Sequence, residues 1–129
     1  MAPRNSHDPC WRETRLQVRE AARSPPLAEL LALDDAAFRA RFAGTPVKRT
    51  GRDRVVRNAL IAAGNSGEAG LLAPVRQLLG DASPLVRAMA VWALRQLAQP
   101  EAWAAARNHY ILRESDAAVR AEWGVEEAP

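Results

Sequence analysis

The residues best suited to chemistry in this chain are cations that cluster near its middle. Five of them fall within ten residues, and Asp53 is the only acidic residue among them. The cations are Lys48, Arg49, Arg52, Arg54 and Arg57. Concentrated positive charge attracts anions, and the guanidinium fork of arginine grips phosphate oxygens at two points. We therefore expect an anionic partner at residues 48–58, called here the basic segment.

The setting of the basic segment favours phosphate as the anion. Lys48, Arg49, Arg52 and Arg54 occupy a glycine-bracketed turn that leads into a helix, where backbone N–H groups and the helix dipole add to an anion site. Asn58 could donate a hydrogen bond to ribose or phosphate. A solvated charged face without any partner is the alternative interpretation of such a run.

Charge along the chain is uneven although its net value is small. The 18 basic residues outnumber the 15 acidic ones by only three. Residues 41–57 hold six cations and one anion, whereas residues 114–129 hold one cation and five anions. This polarity would orient the molecule on a phosphate backbone. Arginine-rich composition can also reflect a GC-rich genome, so composition alone does not establish nucleic-acid binding.

Several classes of function lack support in the sequence. One cysteine, Cys10, allows neither an internal disulfide nor a four-cysteine metal or iron-sulfur site within this chain. No signal peptide or membrane-spanning window is visible, which predicts a cytoplasmic protein with no membrane partner. His109 has no triad-like neighbours, and phosphate-loop, HExxH and CxxC motifs are missing. An independent enzyme is therefore unsupported, and we expect no catalytic or metal-binding residues.

A recurring dipeptide indicates helical repeats. Val56-Arg57, Val86-Arg87 and Val119-Arg120 are spaced by 30 and 33 residues. Apolar residues follow the helical period between them, and nothing alternates with period two. We predict an all-α fold, a short HEAT-like α-solenoid of antiparallel helix pairs over residues 25–124. A polar leader at 1–24 and an acidic tail at 125–129 would flank it. Helices are predicted at 53–63, 67–79, 83–97, 100–112 and 116–123.

Turn residues and side-chain pairing follow from the same pattern. Gly64-Asn65 and Gly80 are predicted to end helices in left-handed caps, and Ser83 before Pro84 to begin one. Asp34 should cap a helix that presents Phe38 and Phe42. The repeat arginines are expected to pair with aspartates across the inter-repeat turns, Arg57 being equally able to contact phosphate. The residues concerned are Arg57, Arg87 and Arg120 with Asp53, Asp81 and Asp116.

Four aromatic residues offer a second way to hold nucleic acid. They are Trp92, Trp103, Tyr110 and Trp123. Each could stack on an unpaired base, although Trp92 lies in an apolar helix and is expected to pack in the core.

The stretch from Pro26 to Leu94 contains five features in a fixed order: the Phe38/Phe42 helix, the GTPVKR turn, the Arg-Asn pair, the Gly-Asn turn and the SPLVR helix. In these features and their order it resembles the C-terminal HEAT-like domain of bacterial epoxyqueuosine reductase. The resemblance implies kinship with a cobalamin-dependent enzyme that carries two four-iron four-sulfur clusters. That family reduces epoxyqueuosine to queuosine at the wobble base of certain tRNAs.

The chain departs from that family because the cobalamin-binding and cluster-binding parts are not in it. We expect no cofactor and no catalysis in these 129 residues. What the resemblance implies for them is tRNA binding at the anticodon stem-loop, by a monomer, with a separate catalytic subunit as a conceivable partner. The alternative is a stand-alone HEAT-repeat scaffold for protein-protein interaction, whose basic turn meets an acidic surface.

Overall fold

A computed structural model describes residues 25–124 of the chain. Its α-helices are α1 Pro25–Leu31, α2 Asp35–Phe42, α3 Val47–Thr50, α4 Arg52–Ser66, α5 Leu72–Gln77, α6 Pro84–Leu97, α7 Pro100–Tyr110 and α8 Ala117–Glu122. Short 3-10 turns at Ala69–Leu71 and Leu78–Gly80 flank α5. These residues contain no strand, so the predicted all-α HEAT-like solenoid is confirmed. The predicted leader, with Cys10, and the acidic tail lie outside the described residues.

Helices α4, α6 and α8 stack in succession, and α1 covers α4 at the start of the row. The repeated valines form the centre of the core: Val56 and Val86 have no exposed surface, and Val119 is 1% exposed. Full burial of a valine side chain contributes about 1.5–3 kcal/mol, so the repeated position stabilises every interface in the stack. No helix in residues 25–124 has the length and apolarity that a membrane crossing requires.

Side-chain caps define where helices begin. The Asp34 carboxylate accepts a hydrogen bond from the Ala37 N–H at 2.7 Å, and the Ser83 hydroxyl accepts one from the Val86 N–H at 3.3 Å. Both capping predictions are therefore confirmed. Helix α2 presents Phe38 and Phe42 as predicted, with ring centroids 5.1 Å apart. Phe38 is buried, so α2 turns this side chain away from solvent.

Two predicted glycine caps are wrong. Helix α4 continues through Gly64 and ends only at Gly67, whose φ of 71° provides the left-handed cap. Gly64 is buried inside the helix because the Trp92 ring lies against it and leaves no room for a β carbon. Gly80 ends a 3-10 turn and has no positive φ. Close packing against Trp92, rather than a turn, therefore explains the glycine at position 64.

The predicted arginine-aspartate pairs are also wrong, although Arg87 does link repeats. Its guanidinium contacts the Glu114 carboxylate at 2.9 and 3.0 Å and donates to the Asp81 carbonyl at 2.9 Å. Arg120 donates instead to the carbonyls of Ile111 and Glu114. The aspartates are engaged elsewhere, since Asp81 pairs with Arg52, Asp53 also contacts Arg52, and Asp116 caps α8.

Candidate nucleic-acid interface

The basic segment begins on α3, a single helical turn held between two glycines. Gly44 and Gly51 have φ values of 75° and 89°, in the region that side-chain-bearing residues rarely adopt. Both positions have open space around them, so the backbone angle alone demands glycine. Sequence reasoning predicted a turn here, and the structure refines this turn to a four-residue helix that exposes Lys48 and Arg49.

An open groove runs beside α3. Its lining includes Gly44, Thr45, Pro46, Lys48 and Arg49, and its volume is about 660 Å³. The Thr45 hydroxyl is occupied, because it donates to the Phe42 carbonyl at 2.8 Å. Two cationic side chains therefore border a groove that is large enough for a nucleotide-sized group.

Helix α4 continues the basic segment on one exposed face. Arg54, Arg57 and Asn58 are related by steps of three and four residues, which places them on neighbouring turns of the same side. Gly51, which precedes α4, offers no side-chain cap to its first N–H groups. The start of α4 lies close in space to acidic residues, since Asp34, Asp35, Asp53 and Asp81 line the hollow beside Arg52.

The cations of the basic segment differ in the ion pairs and hydrogen bonds that they form. Within residues 25–124, Lys48, Arg49 and Arg54 are exposed and form no ion pair. Arg57 contacts only the Asn58 amide oxygen there, at 3.2 and 3.3 Å. Arg57 occupies the equivalent position in the first repeat, but within the described residues it makes none of the hydrogen bonds to carbonyl groups that Arg87 and Arg120 make. Of the six predicted residues, Lys48, Arg49, Arg54 and Asn58 are exposed, and Arg57 is half-buried.

Arg52 is the exception and requires a correction. Its guanidinium donates to both Asp81 oxygens at 2.7 and 2.9 Å and to the Leu33 carbonyl at 2.8 Å, and its side chain is only 11% exposed. Hydrogen bonding to Asp81 raises the already high pKa of Arg52, and the same hydrogen bonds hold the guanidinium in place. The basic run suggested a phosphate ligand, but this arginine joins α4 to two inter-helix turns.

Asp81 is held as firmly as its partner. Its carboxylate also accepts the Ser83 N–H at 3.0 Å. Burial alone would raise the Asp81 pKa, but the Arg52 and Ser83 hydrogen bonds outweigh burial and lower it. Sequence reasoning assigned Asp81 to Arg87 and missed this link. The only available signal was an aspartate two residues before an N-capping serine, which leaves the identity of the pairing arginine open.

The aromatic residues form a cluster at the C-terminal end of the described region. Trp123 is 1% exposed, its ring centroid lies 5.0 Å from that of Trp103, and Tyr110 stacks on it at 6.0 Å. The Arg95 guanidinium covers Trp103 at 4.6 Å. Trp92 packs against Gly64 and the core, as predicted for it. These contacts favour a structural role for the aromatic residues over base stacking.

Residues 25–124 contain no group of three histidine, cysteine or acidic side chains able to hold a metal ion. The described residues therefore do not fit the iron-sulfur clusters of the reductase family.

Comparison with known proteins agrees with the repeat architecture. Residues 48–126 match the family of HEAT repeats. The chain belongs to the HEAT-repeat family. This HEAT-repeat chain is 42% identical over 78 residues to an epoxyqueuosine reductase of Alicycliphilus denitrificans, covering 54% of the chain and 22% of the reductase. An epoxyqueuosine reductase of Xanthomonas campestris pv. campestris is 39% identical over 71 residues, with 54% and 20% covered.

A solved structure supports the same relationship. The crystal structure of selenomethionine-labeled epoxyqueuosine reductase superimposes with a TM-score of 0.70 and 27% sequence identity. The match covers 78% of this chain and 27% of that one. The resemblance to a HEAT-like part of epoxyqueuosine reductase is thereby confirmed. The HEAT-repeat chain spans about a fifth of the length of the curated relatives that it matches.

Proposed function

We propose that this chain is a tRNA-binding HEAT-repeat domain of the epoxyqueuosine reductase type. Its basic segment would contact the phosphates of the anticodon stem-loop through Lys48, Arg49, Arg54 and Arg57, with Asn58 as an additional hydrogen-bond donor. Reduction of epoxyqueuosine would require a catalytic part that these residues do not supply, either elsewhere in a longer protein or in a separate subunit.

One observation carries the proposal. The basic segment combines exposed cations that have no acidic partner in residues 25–124 with the uncapped start of α4. Three arginines elsewhere in the stack, Arg87, Arg107 and Arg120, instead donate to carbonyl groups of neighbouring turns. Lys48, Arg49 and Arg54 therefore carry positive charge that no ion pair within residues 25–124 neutralises.

The mechanism in this chain would be electrostatic positioning. Each cation that neutralises a phosphate releases condensed counterions, which favours binding without reading sequence. The solenoid contributes rigidity, since α4 packs into the core through Val56 and Leu60, both without exposed surface. Phosphates bound along α3 and α4 would therefore hold the stem-loop in one orientation.

The proposal is tested with an anticodon stem-loop RNA and the full chain, by fluorescence anisotropy over a series of salt concentrations. We expect a roughly micromolar dissociation constant at low salt, with log affinity falling linearly as log salt rises. Alanine at Lys48, Arg49, Arg54 and Arg57 should flatten this slope by about three, the value for four lost phosphate contacts.

A charge-matched comparison separates local contact from overall charge. The double variant Arg49→Ala/Arg54→Ala and the double variant Arg76→Ala/Arg113→Ala each remove two exposed arginines. Only the first pair should weaken RNA binding strongly. Equal losses in the two variants, or an unchanged slope in the fourfold variant while circular dichroism shows it folded, would refute the proposed interface.

A protein-protein scaffold is the second candidate, and one observation favours it. Val47, Leu85 and Leu112 are 37%, 42% and 87% exposed. All three lie in or near the turns that precede α4, α6 and α8. If the RNA experiment fails, an acidic protein partner that uses these side chains becomes the better explanation.

A further inference from the structure

The Arg52–Asp81 ion pair joins the basic segment to the following repeat. Arg52 begins α4 immediately after Gly51, so it stands between the cations of α3 and those of α4. Its guanidinium is fixed at three points, by the two Asp81 oxygens and by the Leu33 carbonyl. The side chains of both partners are nearly buried, with 11% and 12% exposed.

Within residues 25–124, the main contacts of α3 with other helices are those with its chain neighbours α2 and α4. This helix is one turn long, and its two flanking glycines have open space around them. Glycine adopts many backbone angles at little cost, so Gly44 and Gly51 by themselves would let α3 pivot. Arg52 is the first residue beyond the second glycine that the rest of the fold holds by its side chain.

We infer that Asp81 is a positioning residue for the basic segment, acting through Arg52 although it lies 29 residues away in the sequence. Its carboxylate fixes Arg52, and Arg52 holds the Leu33 carbonyl, which closes the loop that carries α2 and α3 and thereby restrains Lys48 and Arg49. Part of this inference, the effect on RNA, rests on the proposed function. The effect on the backbone does not.

The inference predicts an outcome opposite to that of simple electrostatics. Asp81→Asn removes a negative charge close to the basic segment, which by charge alone would strengthen RNA binding. If Asp81 positions the segment, the same change should weaken binding by about three- to tenfold, because loosened side chains must then be ordered when RNA binds.

The chain supplies a matched control in the next repeat. The Glu114 carboxylate contacts Arg87 at 2.9 and 3.0 Å and accepts the Asp116 N–H at 3.0 Å, as Asp81 does with Arg52 and Ser83. Glu114→Gln removes the same charge from an equivalent inter-repeat pair. It should destabilise the fold to a similar extent and leave RNA affinity unchanged or slightly higher.

Two measurements on the full chain decide the matter. The first is the affinity of the anticodon stem-loop RNA for parent, Asp81→Asn, Asp81→Glu and Glu114→Gln, at a temperature where all are folded. The second is amide hydrogen exchange over residues 44–51. We expect weaker binding and faster exchange in Asp81→Asn, with partial recovery of both in Asp81→Glu and neither effect in Glu114→Gln.

The outcomes separate this inference from the proposed function. Equal affinity in Asp81→Asn and Glu114→Gln, or tighter binding in Asp81→Asn, would overturn the positioning role. If the parent chain bound no RNA, the proposed function would fall, and the exchange comparison would still test the backbone role of Asp81. Equal exchange over residues 44–51 in the two variants would then refute it.

Discussion

The ring of Trp92 on α6 lies directly against the backbone of Gly64 on α4. A β carbon at position 64 would overlap the six-membered ring, which is too rigid to bend aside. Gly64→Ala should therefore destabilise the fold by about 1–3 kcal/mol, the usual cost of overpacking, and thermal denaturation would measure it.

The effect of Gly64→Ala on stability should change sign when Trp92 is replaced as well. With Trp92→Leu already in place the overlap disappears, and alanine then gains about 1 kcal/mol over glycine through its higher helix propensity. A Gly64→Ala change that destabilised both backgrounds equally would show that the contact with Trp92 is not the cause.

Leu94 tests the core of the stack. It is 1% exposed on α6, so Leu94→Ala should cost about 2–5 kcal/mol in the free energy of unfolding, enough to unfold a domain of ordinary marginal stability. Urea titration followed by circular dichroism is the measurement. Arg76→Ala, on an exposed position of α5, should stay within about 0.5 kcal/mol of the parent.

Two arginines of the basic segment should separate stability from binding. Arg52→Ala leaves the Asp81 carboxylate nearly buried without its partner and should destabilise by about 2–3 kcal/mol. Arg54→Ala removes an exposed side chain and should cost less than about 0.5 kcal/mol while weakening RNA binding. Equal unfolding midpoints for the two variants would contradict the anchoring role given to Arg52.

Stability should fall in acid because of the inter-repeat carboxylates. At Glu114, burial raises the pKa, but the hydrogen bonds from Arg87 and the Asp116 N–H, together with the Arg87 charge, outweigh it, so the pKa lies below its usual value, as it does for Asp81. Carboxylates with lowered pKa stabilise the fold fully above their unfolded values of about 3.9 and 4.3. That contribution is lost as the pH drops through the folded pKa values.

Urea midpoints recorded from pH 7 to pH 3 would show this loss. Asp81→Asn and Glu114→Gln should each lower stability at neutral pH and flatten the decline toward acid. A decline of unchanged steepness in both variants would assign the acid sensitivity to other carboxyl groups.

Much of the fold could be predicted because its determinants are local or periodic. Valine at a recurring position marked the core, and the Asp34 and Ser83 caps depend on residues three positions away. The candidate site was harder to predict, because a cation is free to bind a partner only if the fold places no acidic side chain beside it. Arg52 and Arg54 look alike in the sequence, yet only Arg52 meets Asp81. Likewise, no residue near Gly64 in the sequence indicates that Trp92 packs against it.

The pairs Arg52–Asp81 and Arg87–Glu114 give the repeat array a head-to-tail polarity. The middle unit carries both halves, because Arg87 donates to Glu114 in the turn before α8, and Asp81 in the turn before α6 accepts from Arg52 of the preceding unit. A repeat inserted by duplication would fit only if it carried both halves of this connection. The array can therefore lengthen by copying whole units, whereas a cut between Arg52 and Asp81 would strand one charge on each fragment.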